Sequence, residues 1–534
     1  MRRHMGESPR QTRIVATIGL CPEPDYATYL DRMVDAGVDV VRLNMSHAGA
    51  GYTKEKEILA WANRPGENHG APRVAVLADL QGPKARVGDL GEAGLELVEG
   101  TVVQLVTDAG TPDEGAIAIK LPGEVGPAVM RALRALHRER PGESPRMLFG
   151  DGDLVIEVIE IEGHHARGRV LAGGNLSSRK GITIRGVDID LDPFPAKDQA
   201  DLDFLLVQGI DFLAVSFVRT ASDVKRVRRY IAEKQGPDGP PVRLIAKIET
   251  LAAVENIGGI IDAADGIMIA RGDLGLQLGV AEVPLAQKVL ARRARDAGKP
   301  VIVATQMLES MISHPAPTRA EATDVFNAIL DGGDAVMLSG ETSVGSRPYA
   351  VVETIAGLAL VAERYRADPT TTTDARIALF TDDEDAFIRR INEEFAITAV
   401  QFAERIPAKA VVTFTRSGGT PRRMSRHRSH VPLLAVCQGE RVARSLLLCY
   451  GVHPVVLHDF DVDIDGPSRM IAVARKVLRA DYGLTRGDAL VVTAGADWPK
   501  GGTNSIRVLV EDFDEALGND RRRRSTGRHR HQRT

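Results

Sequence analysis

The chain has 534 residues, of which 43% are hydrophobic and 26% are charged, and its formal net charge is −4. This length predicts about two to four domains, and the composition is that of a globular protein rather than of a disordered or fibrous one. The small net charge gives no reason to expect nucleic acid or a membrane as a partner.

The N-terminal residues 1–11 are polar and lack the apolar stretch of a signal peptide, so we expect them to be disordered. The three cysteines, Cys21, Cys437 and Cys449, are odd in number and are not spaced like metal ligands. They favour a reducing cytoplasm over a secreted protein held by disulfides. No apolar run approaches the length of a membrane span.

From Arg13 onward, short β-branched runs alternate with amphipathic stretches of helical length, such as Ala221–Glu233 and Val283–Asp296. The predicted strands are Ile14–Ile18, Val38–Leu43, Val74–Asp79, Phe212–Phe217, Leu244–Glu249, Gly266–Ala270, Val301–Thr305 and Ala335–Ser339. Eight strand–helix units in this order predict a (β/α)₈ TIM barrel over residues 12–87 and 188–369.

The alternation is interrupted between about Gly88 and Val187 by short strands and glycine turns. The predicted strands there are Leu95–Val98, Val102–Val106, Leu154–Ile161 and Arg169–Ala172, with a helix at Pro127–Glu139. We therefore predict a β-rich domain over residues 88–187, inserted after the third barrel strand. Because it would lie beside the top face of the barrel, it is a candidate lid.

A second alternation begins after about Thr370 and predicts a doubly wound α/β domain over residues 370–514. Its predicted strands are Ala410–Thr415, Leu433–Val436, Val455–Val456 and Ala489–Ala494. Residues 515–534 are rich in arginine and histidine. Such a basic run is typical of a solvated, disordered tail, and we favour that interpretation over a nucleic-acid arm.

Polar residues follow nearly every predicted barrel strand, at the ends where the catalytic groups of such barrels lie. In chain order they are Arg42, Asn44, Ser46, His47, Asp79, Ser216, Lys247, Glu249, Arg271, Asp273, Thr305, Ser339 and Glu341. A purely structural barrel would not need them, so we expect a functional site at this face.

Glu249 and Asp273 end adjacent predicted strands, so their carboxylates could converge on one cation. Two carboxylates completed by substrate oxygens and water is a common way for proteins to hold Mg²⁺. The structural alternative is that each carboxylate caps a helix or pairs with an arginine. Lys247, on the same strand face as Glu249, favours a functional site because its charge would stabilise an anionic oxygen.

Other residues near this face carry weaker signals. Arg42 and Arg86 are candidate phosphate clamps, although surface arginines are often simply solvated or paired. Gly272 would let backbone amides approach a ligand, although a plain turn explains it equally well. Thr318 and Glu321 fit a capping box, which is a purely structural role.

These stretches together closely resemble the pyruvate kinase family. The shared segments are RLNMSH at 42–47, GP at 82–83, AKIE at 246–249, ARGDLG at 270–275, ATQMLESM at 304–311, PTRAE at 317–321 and MLSGET at 337–342. The resemblance runs in the family's motif order from about residue 12 to residue 510. It implies a barrel, an inserted lid, a C-terminal regulatory domain and transfer of the phosphoryl group of phosphoenolpyruvate to ADP.

The resemblance also implies roles for individual residues. Glu249 and Asp273 would hold Mg²⁺, for which Mn²⁺ could substitute, and Asp273 would lie against the substrate. Lys247 would neutralise charge on the phosphoryl group and the enolate, and Arg42 would hold the phosphoryl group, with Arg86 also near the phosphates. The remaining expected substrate residues are Ser216, Gly272 and Thr305.

Further positions follow from the same resemblance. Thr305 and Ser339 are candidates for the relay that protonates the enolate. The positions expected near the nucleotide are Asn44, His47, Tyr52, Arg86 and Lys180. The family is usually a homotetramer, so we expect symmetric assembly of this chain.

One segment departs from the family's commonest form, which has Thr-Lys-Gly-Pro-Glu after the third-strand aspartate and binds K⁺. Here the segment Asp79–Lys84 reads DLQGPK, so a lysine replaces the glutamate. The Lys84 ammonium could take the place of K⁺ in the region of Asn44, Ser46, Asp79 and Leu80, as in the K⁺-independent branch of the family. The alternative is that Lys84 points to solvent.

The C-terminal domain contains a candidate effector loop. Its residues are Thr415, Arg416, Ser417, Gly418, Gly419 and Thr420. Hydroxyls and glycine amides at a helix start can bind phosphate, and in the family this loop binds a sugar-phosphate activator. A plain glycine-rich turn remains equally compatible, and AMP is another expected effector.

Two other function classes remain at this point. Related barrels bind pyruvate-like acids through a metal pair and cleave C–C bonds, but the set Arg42, Arg86, Lys180 and Lys247 favours phosphoryl transfer. A non-catalytic regulatory protein would be expected to have lost such residues. A coupled assay for pyruvate with phosphoenolpyruvate, ADP and Mg²⁺ separates the three classes.

Overall fold

The computed structural model describes residues 9–49, 51–64, 74–237, 239–367, 384–456, 462–494 and 505–511. The predicted disordered N-terminus is therefore described only from residue 9 on, and the predicted tail 515–534 lies outside the described residues. Within these ranges, no helix is both long and apolar enough to cross a membrane.

The chain begins with three barrel strands and continues into the inserted domain. The strands are β1 (Arg13–Thr17), β2 (Val40–Asn44) and β3 (Ala75–Asp79), with helices α1 (Tyr26–Ala36) and α2 (Thr53–Ala62) and a 3₁₀ turn at Met45–His47. The inserted elements are β4 (Leu95–Leu97), β5 (Val102–Thr107), β6 (Ile117–Leu121), α3 (Val125–Glu139), β7 (Arg146–Phe149), β8 (Leu154–Glu162), β9 (His165–Ala172), β10 (Gly174–Leu176) and β11 (Ile182–Ile184).

The barrel is completed by five further strands. These are β12 (Phe212–Val215), β13 (Arg243–Ile248), β14 (Gly266–Ala270), β15 (Val301–Ala304) and β16 (Ala335–Leu338). The helices are α4 (Ala196–Gln208), α5 (Ala221–Gln235), α6 (Leu251–Glu255), α7 (Ile257–Ala263), α8 (Arg271–Leu278), α9 (Val283–Asp296), α10 (Arg319–Leu330), α11 (Gly340–Ser343) and α12 (Pro348–Ala367). A 3₁₀ turn spans Glu309–Ile312.

The eight strands close in the order β1-β16-β15-β14-β13-β12-β3-β2, and every neighbouring pair is parallel. The predicted (β/α)₈ barrel is confirmed. The inserted domain is β-rich as predicted, with a six-stranded sheet β11-β7-β8-β9-β5-β6 and the pair β10-β4. The capping box of Thr318 and Glu321 at the start of α10 is also confirmed.

The C-terminal domain forms a doubly wound sheet. Its elements are α13 (Glu384–Arg405), β17 (Ala410–Thr415), α14 (Gly419–Ser425), β18 (Leu433–Cys437), α15 (Glu440–Arg444), β19 (Val452–Val456), α16 (Val462–Tyr482), β20 (Ala489–Ala494) and β21 (Ser505–Val510). The strand order is β19-β18-β17-β20-β21, with the edge strand β21 antiparallel. Neighbouring residues of β17 belong to different cores, Val411 to the one that includes α13 and Val412 to the one that includes α16.

Contacts divide the chain into two compact units. One holds the barrel and the inserted lid, over Thr12–Arg64 and Arg73–Ala362. The other joins the described residues from Glu363 onward to the N-terminal segment that ends at Gln11. Within it, the Gln11 backbone N–H donates to the Glu363 carboxylate at 3.0 and 3.1 Å, and its carbonyl accepts from Gly451 N at 2.9 Å.

Four aspartates repeat one arrangement at the N-terminal ends of the barrel strands. Each stands just before every second strand and accepts a backbone N–H at the start of the neighbouring strand, at 2.8–2.9 Å. The pairs are Asp39 with Ile14, Asp211 with Val76, Asp265 with Leu244 and Asp334 with Val301. Each aspartate thereby supplies a hydrogen-bond acceptor to a backbone N–H group at the end of a strand, so that these donors are satisfied at the N-terminal rim of the barrel.

Candidate active site

The side chain of Lys247 enters the barrel interior because of strand alternation. In β13, Leu244, Ala246 and Ile248 belong to the hydrophobic cluster shared with the surrounding helices. Successive side chains of a strand point to opposite faces. Lys247 and Glu249 therefore face the interior at the C-terminal end of the barrel.

Lys247 and Arg42 bind two buried carboxylates at this end. The Lys247 Nζ lies 2.7 Å from Ser216 Oγ, 2.9 Å from Glu249 Oε1 and 3.2 Å from Asp79 Oδ1. The Arg42 guanidinium donates to Asp79 Oδ2 from Nε at 2.8 Å, and its Nη2 lies 2.7 Å from the same oxygen. The Asp79 and Glu249 side chains are each 1% exposed and that of Lys247 is 12% exposed. These residues were among the polar groups that we expected at this face of the barrel, and the structure brings them into contact.

Burial and neighbouring charges shift the pKa values of Asp79, Lys247 and Glu249 in different ways. Burial alone would raise the pKa of Asp79, but the charges of Lys247 and Arg42 outweigh it and hold that pKa below its ordinary value. Burial would lower the pKa of Lys247, but Asp79 and Glu249 raise it. Burial raises the pKa of Glu249, and the negative charge of Asp273 adds to the rise despite the opposing charge of Lys247. The carboxylates of Glu249 and Asp273 are therefore close enough to repel each other.

Asp273 is bound by Lys84, the residue that we expected to take the place of K⁺. The Lys84 Nζ donates to Asp273 Oδ1 at 2.7 Å. Among the described residues, the Lys84 ammonium donates to Asp273 and not to the predicted region of Asn44, Ser46, Asp79 and Leu80. The Asn44 side chain instead accepts from Ser46 N at 3.2 Å, and Leu80 O accepts from Ser216 Oγ at 2.7 Å.

Thr305 has an unusual backbone at the end of β15. Its φ is 70° and that of Gln306 is 53°, in the left-handed region that non-glycine residues rarely adopt. Arg271 holds this turn by donating to Thr305 O at 2.8 Å, and it is itself bound to Asp324 at 2.7 Å. The Thr305 hydroxyl accepts from Gly272 N at 2.8 Å. The predicted carboxylate-binding pair Gly272 and Thr305 is thus held side by side.

Ser339, at the end of β16, is positioned by Glu341. One oxygen of the buried Glu341 carboxylate accepts from Ser339 N at 2.6 Å and the other from Leu308 N at 3.1 Å. The same side chain therefore fixes the loops that follow β15 and β16.

Two residues that we expected near the nucleotide, His47 and Tyr52, lie between the end of β2 and the start of α2. His47 is exposed in the 3₁₀ turn after β2. Tyr52 stacks on Phe204, with ring centroids 4.1 Å apart, and its hydroxyl donates to Asp201 Oδ1 at 2.7 Å. This hydrogen bond, with burial, raises the pKa of Tyr52 to about 12. The ring of Tyr52 therefore serves first to join α2 to α4.

Arg86 and Lys180 lie on the two strands that connect the barrel to the lid. Arg86 pairs with Gly181 in an antiparallel bridge, and its guanidinium donates to Arg179 O at 3.0 Å. Val87 N donates to Lys180 O at 3.0 Å. The two predicted phosphate-binding cations are therefore neighbours across the hinge.

The candidate effector loop has the compact turn that its glycines predict. Gly418 has a φ of 81°, and its N–H donates to Thr415 Oγ1 at 2.8 Å. Arg422 donates to Ser417 O at 3.0 Å and to Ser445 Oγ at 2.7 Å. Arg416 is exposed, and Gly419 and Thr420 begin α14.

The first turn of α4 was not singled out from the sequence, although it fixes two loops of the site. Asp198 Oδ2 accepts from Gly82 N at 2.9 Å, and Lys197 donates to Met45 O at 2.9 Å. Gly82 has a φ of 71°, and a side chain there would collide with Ser216. The signal available in the sequence is the charged pair Lys197 and Asp198, two and three residues after Pro195 in the first turn of a helix.

The sequence matches two family models, pyruvate kinase, barrel domain, over residues 9–352 and pyruvate kinase, alpha/beta domain, over residues 393–509. A pyruvate kinase of Corynebacterium efficiens is 39% identical over 94% of this chain and 98% of its own length. One of Corynebacterium glutamicum is 37% identical over 96% and 99%. The crystal structure of a pyruvate kinase from Cryptosporidium parvum aligns with a TM-score of 0.79 and 31% identity, over 94% of this chain and 96% of that one.

Proposed function

The chain belongs to the pyruvate kinase family and catalyses its reaction, and we propose that the buried network around Lys247 is the active site. In this last step of glycolysis, the phosphoryl group of phosphoenolpyruvate moves to ADP and gives pyruvate and ATP. The observation that carries the proposal is the Lys247 ammonium, which lies within 3.2 Å of three oxygen atoms on adjacent strands. A cation held there without freedom to relax can stabilise charge that develops on a transferring group.

The family generally needs Mg²⁺, and we propose Glu249 and Asp273 as the residues that hold it. Burial and, to a smaller extent, the charge of Asp273 raise the pKa of Glu249, and a cation between the two carboxylates would offset both effects by favouring their ionised forms. Among the described residues, no cluster of three or more Asp, Glu, His or Cys side chains forms a metal cage. Two carboxylates completed by substrate oxygens and water suit Mg²⁺, or Mn²⁺ in its place. When bound, the ion would supply a Lewis acid and a template for the substrate.

The chain's own residues would position and neutralise the substrate. Lys247 and Arg42 present two positive charges toward the phosphoryl group, and Asp79 keeps both in place. The Thr305 hydroxyl and Gly272 amide would bind the substrate carboxylate. Such a site works mainly by positioning and electrostatics, as expected for phosphoryl transfer.

The proton that converts the enolate to pyruvate needs a donor on the opposite side from the phosphate. We propose Thr305 and Ser339 as the hydroxyls through which it passes. Their support is the left-handed backbone of Thr305, which Arg271 holds, and the hydrogen bond from Ser339 N to Glu341.

We propose that the enzyme does not require K⁺, because the Lys84 side chain supplies a positive charge at Asp273, one of the two proposed metal-binding carboxylates. Its support is the ammonium 2.7 Å from Asp273. Activity should therefore persist in buffer free of K⁺, and a large activation by added KCl would contradict the proposal.

Three finer proposals concern the surroundings of the site. Asn44, His47 and the hinge cations Arg86 and Lys180 would bind ADP.

The loop of residues 415–420 would bind a sugar phosphate or AMP as effector. The chain would act as a homotetramer in the cytoplasm. A cytoplasmic setting is supported by the three cysteines, all within the described ranges and none in a disulfide. Titrating candidate sugar phosphates and AMP against the phosphoenolpyruvate response tests the effector proposal.

The role of Lys247 is tested by replacing it with methionine. In a coupled pyruvate assay, Lys247→Met should abolish phosphoryl transfer while phosphoenolpyruvate binding is partly retained. Lys225→Met, an exposed lysine on α5, is the matched control and should keep its activity. Near-normal turnover of Lys247→Met would refute the assignment.

A further inference from the structure

Lys84 differs from Arg42 and Lys247 because it stands on the hinge and not on a barrel strand. It follows β3 and lies just before the bridge between Arg86 and Gly181. Ile182 N donates to Ala85 O at 2.8 Å, so the two residues that follow Lys84 are tied to the returning hinge strand.

The packing of the hinge directs the Lys84 side chain toward Asp273. A Cβ placed on Gly181 would lie 2.7 Å from Lys84 Cε, so the stem occupies the space that a side chain at Gly181 would need. The ammonium then lies 5.9 Å from the centre of the Phe217 ring and 2.7 Å from Asp273 Oδ1. The backbone N–H of Phe217 donates to Glu249 at 2.8 Å. The ammonium is thus held against Asp273, next to the residue whose backbone binds Glu249.

The two lysines of the site are held very differently. The Lys247 ammonium is shared among three oxygens and is largely buried, whereas Lys84 has Asp273 as its ion-pair partner and is 23% exposed. A single, partly exposed ion pair is weak and is exchanged readily. Lys84 is therefore the cation of the pair that can move.

We propose that Lys84 is a built-in counter-ion that competes with the divalent metal ion for Asp273. This inference rests on the proposed function, in which Glu249 and Asp273 hold the ion. A Mg²⁺ ion binds carboxylate oxygens at about 2.1 Å. An ammonium hydrogen-bonded to the same carboxylate would be strongly repelled by it, so the ammonium must leave Asp273 when the ion binds.

The competition is measured as the affinity of the full-length chain for Mn²⁺ without substrates, by electron paramagnetic resonance of free Mn²⁺. Lys84→Met should bind Mn²⁺ more tightly than the unaltered chain, by roughly three- to tenfold, since the ion no longer displaces a cation. Lys84→Arg retains the charge and should bind as the unaltered chain does. Equal affinity of Lys84→Met and the unaltered chain, or equal tightening in both variants, would overturn the proposal.

A nearby cation controls for the general effect of removing positive charge. Lys180→Met removes a lysine from the same hinge, where its carbonyl accepts from Val87 N, and should change Mn²⁺ affinity by less than about twofold. An equal tightening in Lys180→Met would show that the effect is only a field effect and would overturn the direct competition.

Two further variants separate this proposal from the metal site on which it rests. Asp273→Asn and Glu249→Gln should each weaken Mn²⁺ binding. If neither does, the proposed metal site is wrong. If both do, while Lys84→Met binds as the unaltered chain, the metal site stands and only the competition is refuted.

Discussion

At the N-terminal rim of the barrel, aspartates such as Asp265 accept backbone N–H groups, whereas at the C-terminal rim Asp79 and Glu249 are bound by side-chain cations. Arg228 and Arg243 also bind Asp265, so cations occur at both rims. The N-terminal rim is distinguished by aspartates that accept the N–H group at the start of a neighbouring strand and so tie two strands together. At the C-terminal rim, the remaining donors of Lys247 and Arg42 can turn to a substrate. A link between barrel strands therefore marks the structural acids, and a cation with donors to spare marks the functional ones.

Asp265 and Glu249 also differ in the direction of their pKa shifts. Burial would raise the pKa of Asp265, but the hydrogen bond from Leu244 and the charges of Arg228 and Arg243 hold it below its ordinary value. The pKa of Glu249 is raised, so its ionised form is held against its preference. Ionisation therefore stabilises the folded chain at Asp265 and destabilises it at Glu249.

The largest expected effect is at the C-terminal rim. Glu249→Gln should lower kcat on the order of 10³-fold or more, because a proposed metal ligand and a partner of Lys247 are lost. The free energy of unfolding should change by less than about 1 kcal/mol, since a neutral amide suits a site that already raises the pKa of the acid. Steady-state kinetics and urea denaturation measure the two. An unchanged kcat would remove the distinction between the rims.

At the N-terminal rim the expected effects are reversed. Asp265→Ala should lower the free energy of unfolding by about 2–3 kcal/mol, because Leu244 N and the guanidinium of Arg228 lose their acceptor. Its kcat/KM should stay within about twofold of the unaltered value. Asp262→Ala, an exposed aspartate of the neighbouring helix α7, is the matched control and should be neutral in both assays. A strong loss of activity without a loss of stability would show that this rim also serves the reaction.

Glu341 combines the two kinds of role and should show a moderate change in each property. Its carboxylate accepts backbone N–H groups, like the N-terminal rim, but it does so at the active-site loops. Glu341→Gln places an amide N–H against one of these donors and should cost about 1–2 kcal/mol of stability. We expect roughly a tenfold loss of kcat from displacement of Ser339. A loss of stability alone would assign Glu341 to the fold.

The smallest expected effect is a difference in pH dependence. Burial, with the charge of Asp201 adding, raises the pKa of Asp198 to about 6 in the folded state, against about 3.9 in the unfolded chain. Its contribution to stability is therefore complete below about pH 4 and is lost as the pH rises through 6. Asp265 has a lowered pKa, so its contribution is present above about pH 4 and is lost as the pH falls.

The measurement is the free energy of unfolding in urea between pH 5 and pH 7. The stability of the unaltered chain relative to Asp198→Asn should be about 1 kcal/mol greater at pH 5 than at pH 7. Relative to Asp265→Asn it should be nearly constant over this range. A flat profile for Asp198 would show that its carboxyl group is ionised throughout.

The barrel and its central residues could be predicted from the sequence because they depend on short-range patterns. Side chains alternate between the two faces of a strand, so Lys247 and Glu249 lie on the inner face whichever strands are the neighbours of β13. The lid strands β6, β7, β10 and β11 were not predicted, because strands of three to five residues leave little room for an alternation to show. The edge strand β21 was also missed, and three of its six residues are exposed.

The contact between Lys84 and Asp273 could not be predicted, because it joins residues 189 positions apart through the folding of the hinge. The sequence showed only that a lysine replaced a glutamate. The left-handed backbone of Thr305 was equally hidden, because no glycine marks it and the cause lies in Arg271. Both features depend on side-chain packing between distant segments.

The hydrogen bonds of Gln11 bear on the order in which the chain folds during synthesis. Gln11 leaves the ribosome 352 residues before its acceptor Glu363 exists. Gln11 therefore cannot form these hydrogen bonds until most of the chain has been synthesised, however early the barrel strands pair. Such a long-range contact closes late and slowly. A fragment that starts at Glu363 would be released without this partner, and adding the N-terminal segment as a separate peptide is a direct way to restore it.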